Sequence, residues 1–341
     1  MRPLPHDDLE RTLDTARDAF AAMHGARLFL TGATGFYGAW LLESLAHARR
    51  RLEVDVAAVV LTRDPEAFAA RMPHVAGYPW LRLVRGDVRR YDGPDGAFTH
   101  AIHAATSTTQ APGTVEDPRA TLATVVEGTR ATLEFVQRAG VARLLFASSG
   151  AVYGRQPADV THLREDFAGA PDPLDLGAAY GNAKRFAEHL CAQAVGVEAV
   201  VARGFAFVGP HLALDAHFAI GNFLRDALAG RPIVLTSDGS PRRSYLHGAD
   251  LAAWLWTLLV RGAPSRAYNL GSDDDRSLGD VARRVGALLG VDVEVRGRPD
   301  PAAPRNRYVP SIDRARDELG LGVTVGLDDA IVRTARWHRG V

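Results

Sequence analysis

A short strand, a glycine-rich turn and a helix follow one another between Arg27 and Ala46, and no other segment narrows the fold as far. The apolar run Leu28–Leu30 leads into Thr31-Gly32-Ala33-Thr34-Gly35-Phe36-Tyr37-Gly38, and the periodic segment Trp40–Leu45 follows. Glycines spaced GxxGxxG allow a tight turn, close approach of the backbone to a pyrophosphate, and close packing of helix on strand. The first turn of the helix then offers unpaired N–H groups and the positive end of its dipole to phosphate oxygens. A glycine string alone means little; a strand before it and a helix after it make it a dinucleotide site.

The rest of the chain repeats the alternation. Short apolar runs stand at 54–63, 81–84, 99–105, 143–148 and 199–205, with helical periodicity between several of them, notably at 118–139. This pattern predicts an α/β fold, a Rossmann-like doubly wound parallel sheet. Residues 7–24 read as an amphipathic helix ahead of it, and 154–177, rich in Pro, Asp and Gly, as a long loop. After Pro210 the pattern loosens into short helices, a short strand at 232–236 and a Pro-rich stretch at 299–310, which predicts a smaller C-terminal α/β lobe. Forty basic residues balance 40 acidic ones, so the footprint of a general nucleic-acid binder is missing. The single cysteine, Cys191, excludes an internal disulfide and a cysteine zinc site, and it reads as a small packing residue. The apolar stretch 251–260 is too short to span a bilayer, and Asp7, Asp8 and Glu10 stand where a signal peptide would be apolar. A soluble, cytoplasmic protein without membrane partners is the expectation.

Only one of the 40 basic residues is a lysine, Lys184; the others are arginines. Arginine substitutes for lysine on most surfaces but not where a compact ammonium is needed. Lys184 falls four residues after Tyr180, on the same helix face. An ammonium beside a phenol stabilises the phenolate and makes it a competent general base. With 8 tyrosines in 341 residues, a randomly placed lysine would meet that spacing about 2% of the time. Ser149 follows the strand at 143–148, at the end of the sheet where open α/β folds bind ligands. The second strand ends in Thr62-Arg63-Asp64. Arg63 suits a ribose 2′-phosphate or the face of an adenine, and Asp64 suits the ribose hydroxyls; the two readings favour NADP and NAD respectively. Asp87 and Val88, after the third strand, are candidate adenine contacts. His100 and His103 have no evident third ligand, so no metal is expected. Trp254 and Trp256 read as core or interface, and Asp273–Asp275 as a solvated turn.

Taken together these residues resemble the extended short-chain dehydrogenase/reductase superfamily, in its NAD-dependent epimerase/dehydratase branch, over about residues 26–338. The resemblance implies that Ser149, Tyr180 and Lys184 form the catalytic set. It implies a cofactor, NAD with NADP possible, held by Gly32, Thr34, Gly35, Phe36, Tyr37, Gly38, Thr62, Arg63, Asp87, Val88, Ala104, Ala105 and Thr106 together with Tyr180 and Lys184. It implies a nucleotide-diphosphate sugar bound by Ser149, Asn222, Arg243 and either Arg305 or Arg307. On this basis residues 1–206 and 241–262 are expected to bind the dinucleotide, with 1–25 as a helical extension, and 207–240 and 263–341 to bind the sugar nucleotide. A homodimer is implied through helices at 118–139 and 177–195, although their apolar residues would serve equally as core. Several positions depart from the branch. Gly150 and Ala151 stand where its dehydratases carry an Asp-Glu pair and its decarboxylases a glutamate at the second place. Val125 and Ala206 replace asparagines, while 211–222 looks like dehydratase relatives. The expected activity is transient oxidation at sugar C4, as a C4 epimerase. The alternatives are a 4,6-dehydratase with a displaced acid, an NADPH-dependent 4-ketoreductase, and a non-catalytic dinucleotide-binding protein.

Overall fold

The computed structural model describes residues 2–106, 117–216, 218–298, 300 and 306–340. Seven strands form the central sheet: β1 (Arg27–Thr31), β2 (Ala57–Thr62), β3 (Leu81–Arg85), β4 (His100–His103), β5 (Arg143–Ser149), β6 (Glu198–Gly204) and β7 (Arg266–Leu270). Their order is β7-β6-β5-β4-β1-β2-β3, and every pairing is parallel. Strands β1, β2 and β5 are buried almost throughout, which is why they read as continuous apolar runs rather than alternating ones. The order reverses between β1 and β4, and a crevice opens outside their C-terminal ends at such a switch point.

The N-terminal helix α1 (His6–Ala22) packs on α2 (Phe36–Leu52), which follows the glycine turn, and on a helix over Gly248–Arg261. Leu13, Phe20 and Met23 enter the main core there, and Trp254 and Trp256 are wholly buried, which settles those tryptophans as core. Trp256 donates to the Ser44 hydroxyl at 2.9 Å and packs on Phe20. The helical stretch at 118–139 consists of Pro118–Leu122, one π turn over Ala123–Glu127, and Gly128–Arg138.

A second core, around Ile220, Leu224, Ile233, Val281, Val285 and Ile331, belongs to the C-terminal lobe. The predicted short strand there is Ile233–Leu235, paired in parallel with Val293–Val295. A three-stranded sheet joins Arg276–Ser277, Arg242–Arg243 and Arg307–Tyr308, with Tyr308 in register with Arg243. One expectation needs correcting: the segment assigned to the lobe from 263 onward gives its first strand, β7, to the central sheet. Asn269 on β7 is buried because its amide is fully used. Its Nδ2 donates to Leu163 O and Ser311 O at 2.8 and 3.0 Å, and Tyr153 donates to its Oδ1 at 2.7 Å. These bonds fasten the loop after Gly154 and the segment after Tyr308 to the sheet edge. No described helix is long and apolar enough to cross a membrane.

Candidate active site

The glycine turn fits tightly on two sides and is open on the third. Gly32 has φ +72°, and a Cβ there would overlap the backbone of Ala104 and Ala105 at the end of β4. A Cβ on Gly38 would overlap the backbone of Ala33. A Cβ on Gly35, by contrast, would meet nothing nearer than Gly32 O at 3.9 Å. Gly35 is also the N-cap of α2 and brings no side chain to its first N–H groups. Thr106, beyond β4, has a buried hydroxyl without a hydrogen-bond partner among the described residues. An open glycine, uncapped helix N–H groups and an orphan hydroxyl suit a dinucleotide pyrophosphate. The turn is braced from outside by Arg71, whose guanidinium donates to Thr34 O.

At the end of β2 the Arg63 side chain is exposed, and its carbonyl accepts from Arg85 at 3.0 Å. Asp64 caps the following short helix by accepting from Ala67 N at 2.9 Å, so one of its oxygens is already used. Thr62 is buried and accepts from Asp64 N at 3.3 Å. The Asp87 carboxylate is held by the Arg89 guanidinium at 2.6–3.2 Å, which keeps it below the usual carboxylate range. Val88 is half-buried and packs against the second face of the sheet.

Ser149, Tyr180 and Lys184 meet at the C-terminal end of β5. Helix α3 (Ala179–Ala192) carries Tyr180 in its first turn and Lys184 one turn later. Lys184 is buried, and its Nζ donates to Ala147 O at 2.7 Å. The same Nζ lies 4.9 Å from the centre of the Phe146 ring and 5.8 Å from that of Tyr180. Burial brings its pKa down from 10.5 to about 8, against the partial support of the neighbouring Glu188. Ser149, two residues past Ala147, ends the strand; its Oγ accepts from Ala151 N at 3.2 Å. It thus caps the turn over Gly150–Tyr153 as well as facing the site.

Sequence reasoning missed the groups that fix this set. Ser148 donates to Glu188 at 2.5 Å, and Arg203 on β6 forks onto the same carboxylate at 2.6–3.2 Å. Arg203 also donates to the Tyr153 hydroxyl at 2.9 Å. Glu188 lies one helical turn beyond Lys184, a spacing that would have marked it as a candidate neighbour. Two further phenols approach Tyr180. Tyr37 and Tyr308 are both held protonated by burial, with Tyr180 adding to the effect.

Beside Ser149 a cavity of about 480 Å³ is lined by Gly154, Arg155, Gln156, Arg243, Asn306, Arg307 and Tyr308. Arg243 and Arg307 thus line one cavity. Arg243 donates to Arg242 O at 2.7 Å, and Arg307 lies 3.4 Å from Asp275. Arg305 lies outside the described residues. Asn222 sits on the helix Ala219–Leu228, where its side chain accepts from Arg225 at 3.2 Å, and it does not line this cavity. His103 is core: it is enclosed by Thr31 and Thr129 at 2.6 and 3.1 Å, and burial drops its pKa to about 3, so it stays neutral.

The profile of the NAD dependent epimerase/dehydratase family matches residues 28–271, well over half of the chain. The chain belongs to this family. Its NAD-dependent chemistry agrees with the glycine turn just described, and NAD is the cofactor of the fold. Among curated relatives, a UDP-glucuronic acid decarboxylase 1 of Xenopus tropicalis is 28% identical over 319 residues, 92% of this chain and 72% of the relative. Among solved structures, the epimerase Mth375 of Methanothermobacter thermautotrophicus superposes with a TM-score of 0.75 at 25% identity, over 96% of each chain. The UDP-glucose 4-epimerase of Thermotoga maritima, solved with UDP-glucose, shares the fold with a TM-score of 0.76 at 18% identity, over 92% of this chain and 99% of that one.

Within this family the departure at 150–151 has a structural counterpart. A Cβ on Gly150 would stand 2.7 Å from the Tyr308 hydroxyl and 2.7 Å from the Phe205 ring. The volume beside Ser149 that a side chain at 150 would need is occupied by a phenol from the other lobe.

Proposed function

We propose that the protein oxidises a nucleotide-diphosphate sugar transiently at C4 and releases it as the C4 epimer. The observation that carries this reading is the meeting of Ser149, Tyr180 and Lys184 at the switch-point crevice, beside a cavity bearing Arg243 and Arg307. The Tyr180 phenolate oxygen takes the proton of the C4 hydroxyl. The buried Lys184 ammonium favours the anionic form of that phenol. Ser149 hydrogen-bonds the same sugar oxygen and orients it. The Arg243 and Arg307 guanidinium groups fork onto the diphosphate, for which their planar donors are suited. Gly32, Thr34, Gly35 and the first N–H groups of α2 would hold the NAD pyrophosphate, and Ala104–Thr106 the far side of the cofactor. Bound NAD supplies the hydride acceptor and, later, donor. Placing both reactants in one crevice contributes much of the acceleration. Glycine and alanine at 150–151 leave no acid at the two positions where the family's dehydratases carry one, so return to a C4 alcohol is the simplest continuation.

The similarity to UDP-glucuronic acid decarboxylases favours a uridine nucleotide, and a second reading in which C4 oxidation is followed by loss of the C6 carboxylate as CO2. Incubation with UDP-glucose, UDP-galactose and UDP-glucuronate, read by chromatography and mass, separates these. An epimer of unchanged mass supports the first reading and a pentose product the second; no turnover of these three alcohols, with steady consumption of NADPH on a 4-keto sugar nucleotide, would mark a reductase and defeat both. Tyr180→Phe should abolish turnover with dinucleotide still bound, and full activity in that variant would overturn the site. We further propose a homodimer. Leu122, Leu174, Leu176 and Phe186, on and beside the helices expected to pair, are exposed in the single chain.

A further inference from the structure

Tyr308 comes from the C-terminal lobe, 159 residues from Ser149 in sequence, and its hydroxyl lies 3.5 Å from the Ser149 Oγ. The same hydroxyl reaches Gly204 O at 3.3 Å. Its ring stacks on Phe205 with centroids 4.6 Å apart, and its strand is pinned by the hydrogen bonds of Asn269 and by the bridge between Leu163 and Pro310.

A proton count shows what this arrangement does. The phenol has one proton and, among the described residues, two acceptors in reach, Gly204 O and Ser149 Oγ. Ser149 Oγ already accepts from Ala151 N–H, so it has one lone pair and one proton left to place. When the phenol donates to Gly204 O, the serine proton turns towards the phenol oxygen. When a sugar oxygen claims the serine proton, the phenol turns its own proton onto the free serine lone pair. Ser149 then accepts twice and can donate in one direction only, towards the sugar. Such chained hydrogen bonds also polarise the terminal donor.

We propose that Tyr308 is a positioning residue for Ser149, a rotating donor that fixes and strengthens the serine's hydrogen bond to the reacting sugar oxygen. It stands in space that only a glycine at 150 leaves free, so Gly150 and Tyr308 form one device. No bond to carbon is made or broken by Tyr308, and its proton stays on its own oxygen. Burial keeps the phenol protonated, as a donor requires. The inference rests on the reading of Ser149 given under Proposed function.

The test is a double-mutant cycle on the holoenzyme, with UDP-glucose, UDP-galactose and UDP-glucuronate as substrates. Tyr308→Phe keeps the stack on Phe205 and loses only the hydroxyl. It should lower kcat about tenfold, the worth of one neutral hydrogen bond, with KM changed less than about twofold. Ser149→Ala should cost about a hundredfold. The double variant should be no slower than Ser149→Ala, because Tyr308 acts through the serine. Losses that multiply, an unchanged kcat in Tyr308→Phe, or a rise in KM alone would each overturn the proposal while leaving the catalytic reading intact. A fully active Ser149→Ala, or a parent protein that turns over none of the three sugars, would remove the reading on which it rests and the proposal with it. Gly150→Ala gives an independent route: by crowding the phenol away from Ser149 it should reproduce the kcat loss, and normal kcat in a folded Gly150→Ala would count against the device.

Discussion

Replacing Lys184 by Met should inactivate the protein and make it more stable. The ammonium is nearly inaccessible, and burial lowers its pKa from 10.5 to about 8. Each tenfold loss of proton affinity corresponds to about 1.4 kcal/mol, so holding the charge near neutral pH costs the folded state about 3 kcal/mol. Methionine matches the side chain in length, carries no charge, and replaces the cation–π contact with Phe146 by a sulfur–aromatic one. It leaves Ala147 O without its donor, a loss of about 1 kcal/mol. The net gain near pH 7 is about 2 kcal/mol, or roughly 3 °C in melting temperature for a chain of this size. The pH dependence is the sharper assay. Below about 8 lysine is protonated in both folded and unfolded chains, and the full penalty applies. Between about 8 and 10.5 the folded state binds fewer protons than the unfolded one, so the parent gains stability with rising pH and the variant does not. Urea melts of dinucleotide-stripped protein should therefore show an advantage for Lys184→Met near pH 7 that closes by about pH 10. A variant less stable than its parent near neutrality, or a difference independent of pH over that range, would refute the account of Lys184 as a destabilising charge retained for chemistry.

Three further outcomes follow from the same geometry. Gly38→Ala should cost several kcal/mol, about 3 or more, because its methyl has no space against the Ala33 backbone; thermal melts and loss of bound dinucleotide report it. Arg203→Ala leaves the Glu188 carboxylate buried without its fork and should destabilise by about 3–5 kcal/mol in denaturant melts, whereas a change under about 1 kcal/mol would show the pair to be solvated. Phe186→Glu should leave the fold intact but shift a dimer to monomer in sedimentation, and an unchanged mass would place any interface elsewhere.

The central sheet was legible because burial on both faces forces apolar runs, and the cofactor turn because its glycines are required by backbone contacts at Gly32 and Gly38. Lys184 stood out through composition alone. Strand β7 escaped notice for a physical reason: Arg266 and Asn269 interrupt its apolar character, and Asn269 is tolerated only because distant carbonyls and Tyr153 satisfy its amide. Tyr308 gave no local signal, since its meaning lies in a contact across 159 residues. Glu188 and Arg203 belong to adjacent elements, and their ion pair cannot be inferred until α3 is laid against β6. Asn222, placed by resemblance, has its amide oxygen engaged by Arg225 and does not line the cavity beside Ser149.

The anchoring of α3 on β5 has a mechanical consequence. Lys184 rests on Ala147 O, Glu188 accepts a hydrogen bond from Ser148, and Ser149 is the next residue of the same strand. All three side chains proposed for catalysis are thus referred to one strand end, as parts are machined from a common datum. A displacement of that strand carries base, ammonium and hydroxyl together and leaves their mutual spacing unchanged. One side of the cavity wall, by contrast, is built from two-residue strands of the other lobe. That wall can be reshaped for a different sugar without realigning the three.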